Sequence, residues 1–539
     1  MHRMTRDIAT ADVQAPFGGE VFTFKADRLR MERVAGERFM TLEAGADHRV
    51  YRVTRVIGGR YREDFAGIEV VQAAPHATVI GDPRTELVLP ASYVLQSASY
   101  RPKGYSVMST ERPGLRAGPV WNQTCIDCHN TVPYLSEALG AIYGRGAPSF
   151  QGELVDPLLP SERRWSFEVT AATELERALR GEIQFLGGSA REGTSTSQLL
   201  RASIEATRDR LDAAHLVEVG IGCESCHGGS REHVANPSAV VPSYEPRSPF
   251  LYARPPDGAE AARGALINRT CARCHQVLFS RYAYTWEGGS RSGRAHPPGG
   301  SSINSGEARD LLLSRCQIAC TACHDPHRED APARLAALAT PTGNSVCTTC
   351  HPALGTPAAL RAHAHHDPSH KGASCVGCHM PRKNMGLGYT LTRYHRIGSP
   401  NDTERVERDR PIECVLCHTD KTGEALVAQM ERWWGRRFDR TALHTLYGDL
   451  KGPLLLQTLR RGKPHEQAVA IALLGEKGDL TALEPLASAL THPYPLLRPY
   501  AKAALEQMTH APLPIALDRD NETIRSATQR WLLSEERGE

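Results

Sequence analysis

The sequence predicts a multi-domain chain: a β-rich domain over residues 1–118, a core of irregular segments and short helices over 119–424, and α-helical repeats over 425–539. Three observations carry that division. The first stretch alternates apolar and polar residues between glycine turns. The middle stretch holds every copy of one repeated pentapeptide, Cys-x-x-Cys-His. The last stretch spaces its apolar residues at helical intervals.

In the first part, Val21-Phe22-Thr23-Phe24, Arg38-Phe39-Met40-Thr41-Leu42 and Tyr51-Arg52-Val53-Thr54-Arg55-Val56-Ile57 have strand composition. Phe65 to Val71 and Leu87-Val88-Leu89 read as further strands. Gly18-Gly19, Ala35-Gly36 and Gly58-Gly59 supply the turns between them. The interleaved Arg and Glu residues read as the solvent face of a sheet.

The pentapeptide occurs seven times: Cys125–His129, Cys223–His227, Cys271–His275, Cys320–His324, Cys347–His351, Cys375–His379 and Cys414–His418. Its cysteine pairs are Cys125 and Cys128, Cys223 and Cys226, Cys271 and Cys274, Cys320 and Cys323, Cys347 and Cys350, Cys375 and Cys378, and Cys414 and Cys417. They use fourteen of the fifteen cysteines, leaving Cys316. A random chain of this composition would hold about 0.02 copies. The motif has a mechanical logic. Two cysteines three apart on one helical turn form thioethers to the two vinyl groups of a haem, and the histidine that follows sits beneath the iron. His129, His227, His275, His324, His351, His379 and His418 are then the proximal ligands of seven haems c.

Other uses of cysteine fit less well. Zinc sites pair two knuckles and do not require His after the second Cys every time. A disulfide framework would not repeat one pentapeptide over 539 residues. Thioredoxin-like chemistry needs a single CxxC in a βαβ setting. Cys316 reads as a small packed residue near a haem, with a reactive thiol as the alternative.

Composition agrees. Aromatic residues are only 6% of the chain, although hydrophobic residues reach 40%. Haem macrocycles supply the missing apolar faces, so the middle part is organised by its cofactors. The formal charge of +3 comes from scattered Arg and Lys, with no basic helix or stacking platform, which argues against nucleic acid. No apolar run approaches the roughly 18 residues of a membrane span. Haem attachment to this motif takes place outside the bacterial cytoplasm, which predicts a periplasmic or extracellular protein. Met1 to Arg6 leads into polar sequence with no apolar leader.

In the last part, His465 to Leu474, Leu480 to Leu490 and Pro495 to Met508 show helical apolar spacing. Leu496-Leu497-Arg498-Pro499-Tyr500-Ala501 followed by Ala503-Ala504-Leu505 has the pattern of a HEAT repeat, a helix pair that stacks on its neighbours and serves as a protein-docking element. Asp520-Asn521-Glu522-Thr523 caps a last helix running to about Ser534.

A second axial histidine decides what a haem does, because a six-coordinate bis-His haem passes electrons and a five-coordinate one can bind substrate. Sixteen histidines remain outside the motifs. His233, His296, His327, His363, His365, His366, His370 and His395 are the candidates. His327, three residues after His324, is too close in sequence to reach the far face of the same haem, so it points to the iron of a neighbour. The cluster His363-Ala364-His365-His366 supplies one or two ligands, and the sequence does not choose among them.

These motifs resemble the cytochrome c554-like multihaem cytochromes, which often carry TPR or HEAT repeats at the C-terminus. The resemblance runs through most of residues 1–460. It rests on Trp121-Asn122 before Cys125, on Gly222 to His233 with its final His in place, and on Cys320 to His327. It continues in Gly343-Asn344 before Cys347, Cys378-His379-Met380-Pro381, His395-Arg396-Ile397 and Cys417-His418-Thr419-Asp420-Lys421. The resemblance implies electron transfer between redox protein partners. The chain departs from the pattern at its start. Family members carry a further CxxCH and a segment ending in Ser-His before the β domain. His2 matches that ligand, which implies upstream sequence with an export signal and an eighth haem.

The function expected is therefore an exported electron carrier with closely spaced, mostly bis-His haems. The alternative is a multihaem reductase or oxidase of a small nitrogen or sulfur compound at a five-coordinate haem. No CxxCK motif marks such a site.

Overall fold

The computed structural model describes residues 4–103, 111–132, 166–227, 231–244, 250–254, 263–275, 307–328, 331–386 and 388–537. The chain divides into two compact units. One takes Met1–Tyr105 with Arg112–Val277, the other Ser106–Glu111 with Leu278–Glu539.

The first unit is built on an antiparallel sheet. Its strands are β1 (Thr5–Asp7), β2 (Glu20–Phe24), β3 (Asp27–Val34), β4 (Glu37–Ala44), β5 (Asp47–Gly58), β6 (Arg62–Val70), β7 (Leu87–Val88), β8 (Ala91–Val94) and β9 (Ser99–Pro102). The order is β2-β3-β4-β5-β6-β8-β9, with β1 added to β5 and β7 to β6. Two-residue turns join β2 to β3, β3 to β4 and β4 to β5, and four residues lie between the last paired residues of β5 and β6, Gly58 and Glu63, and of β8 and β9, Val94 and Ser99. Ala35 and Gly36 both take positive φ, 50° and 90°, which brings Val34 opposite Glu37. Period-two alternation sends Leu29 and Met31 inward with Phe17, Phe24, Met40, Tyr51 and Phe65. Phe39, Val50, Ile68 and Val70 pack on the opposite face. β5 shifts register against β6 between Val53 and Arg55, while its other edge pairs with β4 as far as Arg52 and with β1 from Arg55 to Ile57.

After the sheet, α1 (Ala172–Phe185) packs on α2 (Thr196–Arg210) through Leu175, Leu179, Ile183 and Leu199. A reciprocal cap starts α2, in which the Ser195 amide donates to Gln198 at 3.1 Å.

The second unit contains α3 (Pro357–Ala364), α4 (Gly423–Trp434), α5 (Arg440–Tyr447), α6 (Leu454–Arg461), α7 (Pro464–Lys477), α8 (Leu483–Ser488), α9 (Leu497–Thr509) and α10 (Asn521–Arg537). α7 is the central helix; Ala468, Val469, Ala470 and Ile471 are all buried, so it is covered all round. α9 approaches it closely enough that a Cβ on Gly475 would lie 2.5 Å from the Ala504 Cα. The stretch Leu480 to Leu490 is not one helix. It is a 3-10 turn at Leu480–Ala482, then α8, then a 3-10 turn at Ala489–Thr491. Pro485 has no amide to bond back to Thr481, so it fits only the first turn of a helix, and α8 starts afresh at Leu483. Asp520 does cap α10, accepting from the Glu522 and Thr523 amides at 3.1 and 2.9 Å.

The same apolar cluster that fills the helices includes Tyr394, Val406, Ile412 and Val415, so the last pentapeptide is built onto the helical part. Buried ion pairs lock that join. The Arg410 amide and Nε donate to Glu466 at 3.1 and 3.0 Å, and Arg405 pairs with Glu413 at 3.0 Å. Glu413 directly precedes Cys414, so the start of the last motif is held by charge as well as by packing.

Candidate haem-attachment sites

Each pentapeptide closes one helical turn. The histidine amide donates to the carbonyl of the first cysteine at 3.2 Å for His129, 3.0 Å for His227, 2.9 Å for His275, 3.0 Å for His324, 2.9 Å for His351 and 2.9 Å for His418. Cys375–His379 is a short α-helix in its own right. Residues three apart on such a turn share a side, so both cysteines of a pair face the same way and the histidine begins the next turn. No disulfide joins any of the fifteen cysteines. Among the described residues no three or more His, Cys, Asp or Glu side chains gather as a metal cage would.

In the first unit, hydrogen bonds staple neighbouring motifs together. Thr131 Oγ1 donates to the Gly220 carbonyl at 3.0 Å, bonds Ser225 Oγ at 2.8 Å and accepts from the Gly222 amide at 2.9 Å. This ties the motif ending at His129 to the one starting at Cys223. Arg273 reaches from the third motif to the Ser225 carbonyl at 3.0 Å. Burial, with the Lys103 ammonium nearby, pushes His129 down to about 4, so it is neutral as a ligand must be. The His227 ring lies 4.9 Å from Tyr244, whose face carries the Arg263 guanidinium at 5.4 Å. His233 bonds the Val240 carbonyl through Nδ1 at 2.6 Å.

In the second unit, Asn344 plays the stapling role. Its amide group donates to the Ala373 carbonyl and accepts from the Cys375 amide, both at 2.8 Å. Arg334 braces the Cys320 motif through the Ala322 and Cys323 carbonyls at 3.0 and 3.2 Å, and Arg393 braces the Cys375 motif through Val376 and Met380 at 2.6 and 2.9 Å.

Three motif histidines face a second histidine. The ring centres of His324 and His395 are 6.1 Å apart at 23°, those of His379 and His363 6.0 Å apart at 9°, and those of His418 and His366 5.9 Å apart at 29°. Bonds of about 2 Å to iron, and about 1.2 Å from Nε2 to the ring centre, set two axial imidazoles about 6.3 Å apart. The residues present therefore fit a haem iron between each pair. The tautomers agree. His395 bonds the Arg393 carbonyl through Nδ1 at 3.0 Å, His366 the Ala364 carbonyl at 2.6 Å, and His379 the Gly398 carbonyl at 2.9 Å. A carbonyl can only accept, so Nδ1 carries the proton and Nε2 keeps its lone pair for metal.

The other candidates lie elsewhere. His370 also stands 6.2 Å from His366, but its Nδ1 accepts from the Gly372 amide at 3.0 Å, which puts its proton on Nε2. His365 ends α3 with φ 54° and stacks on Trp433 at 4.3 Å. The His327 side chain is 73% exposed, with Nδ1 4.0 Å from Asp325. His2 and His296 lie outside the described residues.

A family model for the doubled CXXCH motif matches residues 316–356, which contain the Cys320 and Cys347 motifs. The doubled motif supports a multihaem c-type cytochrome. Among solved structures, the chain is similar to the crystal structure of the outer cell wall cytochrome OcwA, at 15% identity and a TM-score of 0.35, over 85% of this chain and 88% of that one. No curated protein matches.

The stapling residues Thr131, Arg273, Arg334 and Arg393 carry no sequence signal, because each acts across the fold. Asn344 did carry one, since it stands three residues before Cys347 in a position the resemblance already marks.

Proposed function

We propose that this chain is an exported electron carrier with seven covalent haems c, at least three of them held between two histidines. The observation that carries this reading is the triple recurrence of a motif histidine facing a second imidazole at 5.9–6.1 Å. Bound haem supplies reversible one-electron chemistry. The chain's own residues do the rest. His395, His363 and His366 would hold a haem iron together with His324, His379 and His418, which would leave substrate no iron site there. Nδ1 hydrogen bonds to backbone carbonyls hold the rings in orientation and keep their basicity high. Asn344 and Thr131 fix the spacing between successive motifs. His233, and His327 toward a neighbouring motif, are proposed as further distal ligands. The HEAT-like helices serve as a docking element for protein partners, and the protein works in the periplasm or outside the cell.

One place favours a second reading. The His227 ring lies 4.9 Å from Tyr244, over which the Arg263 guanidinium sits at 5.4 Å. Tyr and Arg there could orient a small anion, as a reductase or oxidase requires. Reduced protein under carbon monoxide separates the two. The carrier reading expects the intact mass to exceed the polypeptide by seven haems and the spectrum of the three paired sites to ignore carbon monoxide. A chain purified with no haem-type absorption would overturn it.

A further inference from the structure

We propose that the surface around Trp433 is the docking site of an acidic one-electron redox protein, with His365 linking that surface to two haem sites. This rests on the carrier reading above. Trp433 lies in the last turn of α4 and is 37% exposed. Its ring lies flat on His365, 4.3 Å away at 5°. Trp434 closes the edge of the stack, 6.0 Å from His365 and 5.7 Å from Trp433.

What lies beneath makes the stack more than a helix cap. His365 is held between His363 and His366 in sequence, and those two face His379 and His418. The left-handed backbone at His365 ends α3 and turns this one ring toward Trp433, while its neighbours turn to two different motifs. A surface indole therefore touches the residue adjacent to two axial positions.

Charge says which partner fits. Arg432, Arg436, Arg437 and Arg440 are all exposed, four cations within nine residues. The chain average, 64 Lys and Arg in 539, predicts about one. Two acids offset part of this charge, Glu431, which pairs with Arg437 at 3.5 Å and Arg440 at 2.8 Å, and the exposed Asp439, so four cations against two acids leave an excess of two positive charges. The Glu431 side chain is only 8% exposed and accepts from the Phe438 amide and Arg440. Asp439 caps α5 through the Thr441 amide. An exposed aromatic residue flanked in sequence by Arg is the composition of a protein-binding hot spot, and the net positive charge steers an anionic partner. One electron crosses in each encounter, supplied by the partner's own redox centre, and no proton need move.

A plant-type ferredoxin, acidic and of low potential, is the probe. Its reduced form is mixed with the oxidised, haem-loaded full chain in a stopped-flow instrument at low and high salt. For the charge-reversed variant Arg432→Glu/Arg436→Glu/Arg437→Glu, the second-order rate constant should fall about ten- to a hundredfold at low salt, and the difference should vanish at high salt. Trp433→Ala should slow transfer within the complex, and Trp433→Phe, which keeps a stacked ring, should restore most of the rate. Haem content and reduced spectrum of each variant are measured alongside. If the charge-reversed, fully loaded protein reacts at the wild-type rate at low salt, the docking site is overturned while the carrier reading stands. Unchanged ferredoxin kinetics together with lost binding to anionic lipid vesicles would instead make this a membrane-surface patch and equally overturn it. A wild-type chain without haem absorption removes both.

Discussion

Replacing His363 by Ala should open one haem, and one only. His363 and His379 stand 6.0 Å apart with rings 9° from parallel. With both Nε2 atoms turned toward one iron, about 1.2 Å at each ring would leave about 3.6 Å for two bonds of about 1.8 Å, close to the roughly 2 Å of a metal-bound imidazole. Removing one imidazole leaves an iron held by His379 alone. The reduced variant should then bind one carbon monoxide per chain beyond the wild type, about one seventh of the haem absorbance, and the potential of that site should shift as its ligand set changes. Photolysis difference spectra count the sites. His365→Ala is the paired control: its ring lies on Trp433, so it should add no carbon monoxide site. The assignment fails if His363→Ala binds no more carbon monoxide than wild type, or if His365→Ala opens a haem as readily.

Three further outcomes follow from the braces. Asn344→Ala removes two buried bonds, to Ala373 and Cys375, and should lower stability by about 1–3 kcal/mol in urea titrations of the loaded protein. Glu466→Ala strips the fully buried partner of Arg410 and should destabilise the helical part by about 3–5 kcal/mol, read as a lower thermal midpoint; a loss under about 1 kcal/mol would mean the pair is not load-sharing. Burial raises Asp409 to about 6, so between about 4 and 6 the folded chain keeps a proton that the unfolded chain has released. Stability should therefore fall as pH rises through that window, and Asp409→Asn should flatten the slope in denaturation midpoints taken across it.

The sheet and the tail were legible because their signals are local. The runs at Val21, Arg38, Tyr51 and Phe65 fall within β2, β4, β5 and β6, and the spacing from His465 falls within α7. β3 gave a weaker signal: in Asp27 to Val34 only Leu29 and Met31 interrupt a run of charges, and they suffice because the inward face of that strand needs no more. The motifs themselves were legible residue by residue. Which second histidine meets which motif was not. His363, His365 and His366 are equivalent in composition, and a single left-handed residue at the end of α3 sorts them. That sorting depends on the stop of one helix and on Trp433, which is 68 positions away in the chain, and no window of sequence contains both.

That β4 stops short of the end of β5 bears on how the sheet defends its margin. β4 pairs with β5 only as far as Phe39 opposite Arg52, so Val53 to Gly58 would present bare amides and carbonyls on that side. β1 takes over there, with Asp7 opposite Arg55 and Thr5 opposite Ile57, and the Ile8 amide extends the seal to Thr54 at 3.0 Å. A three-residue strand thus stands between a long apolar ribbon and the self-association that an open strand edge invites. Trimming the chain past Asp7 should bare that edge and increase self-association, read as a rise in light scattering at equal haem content.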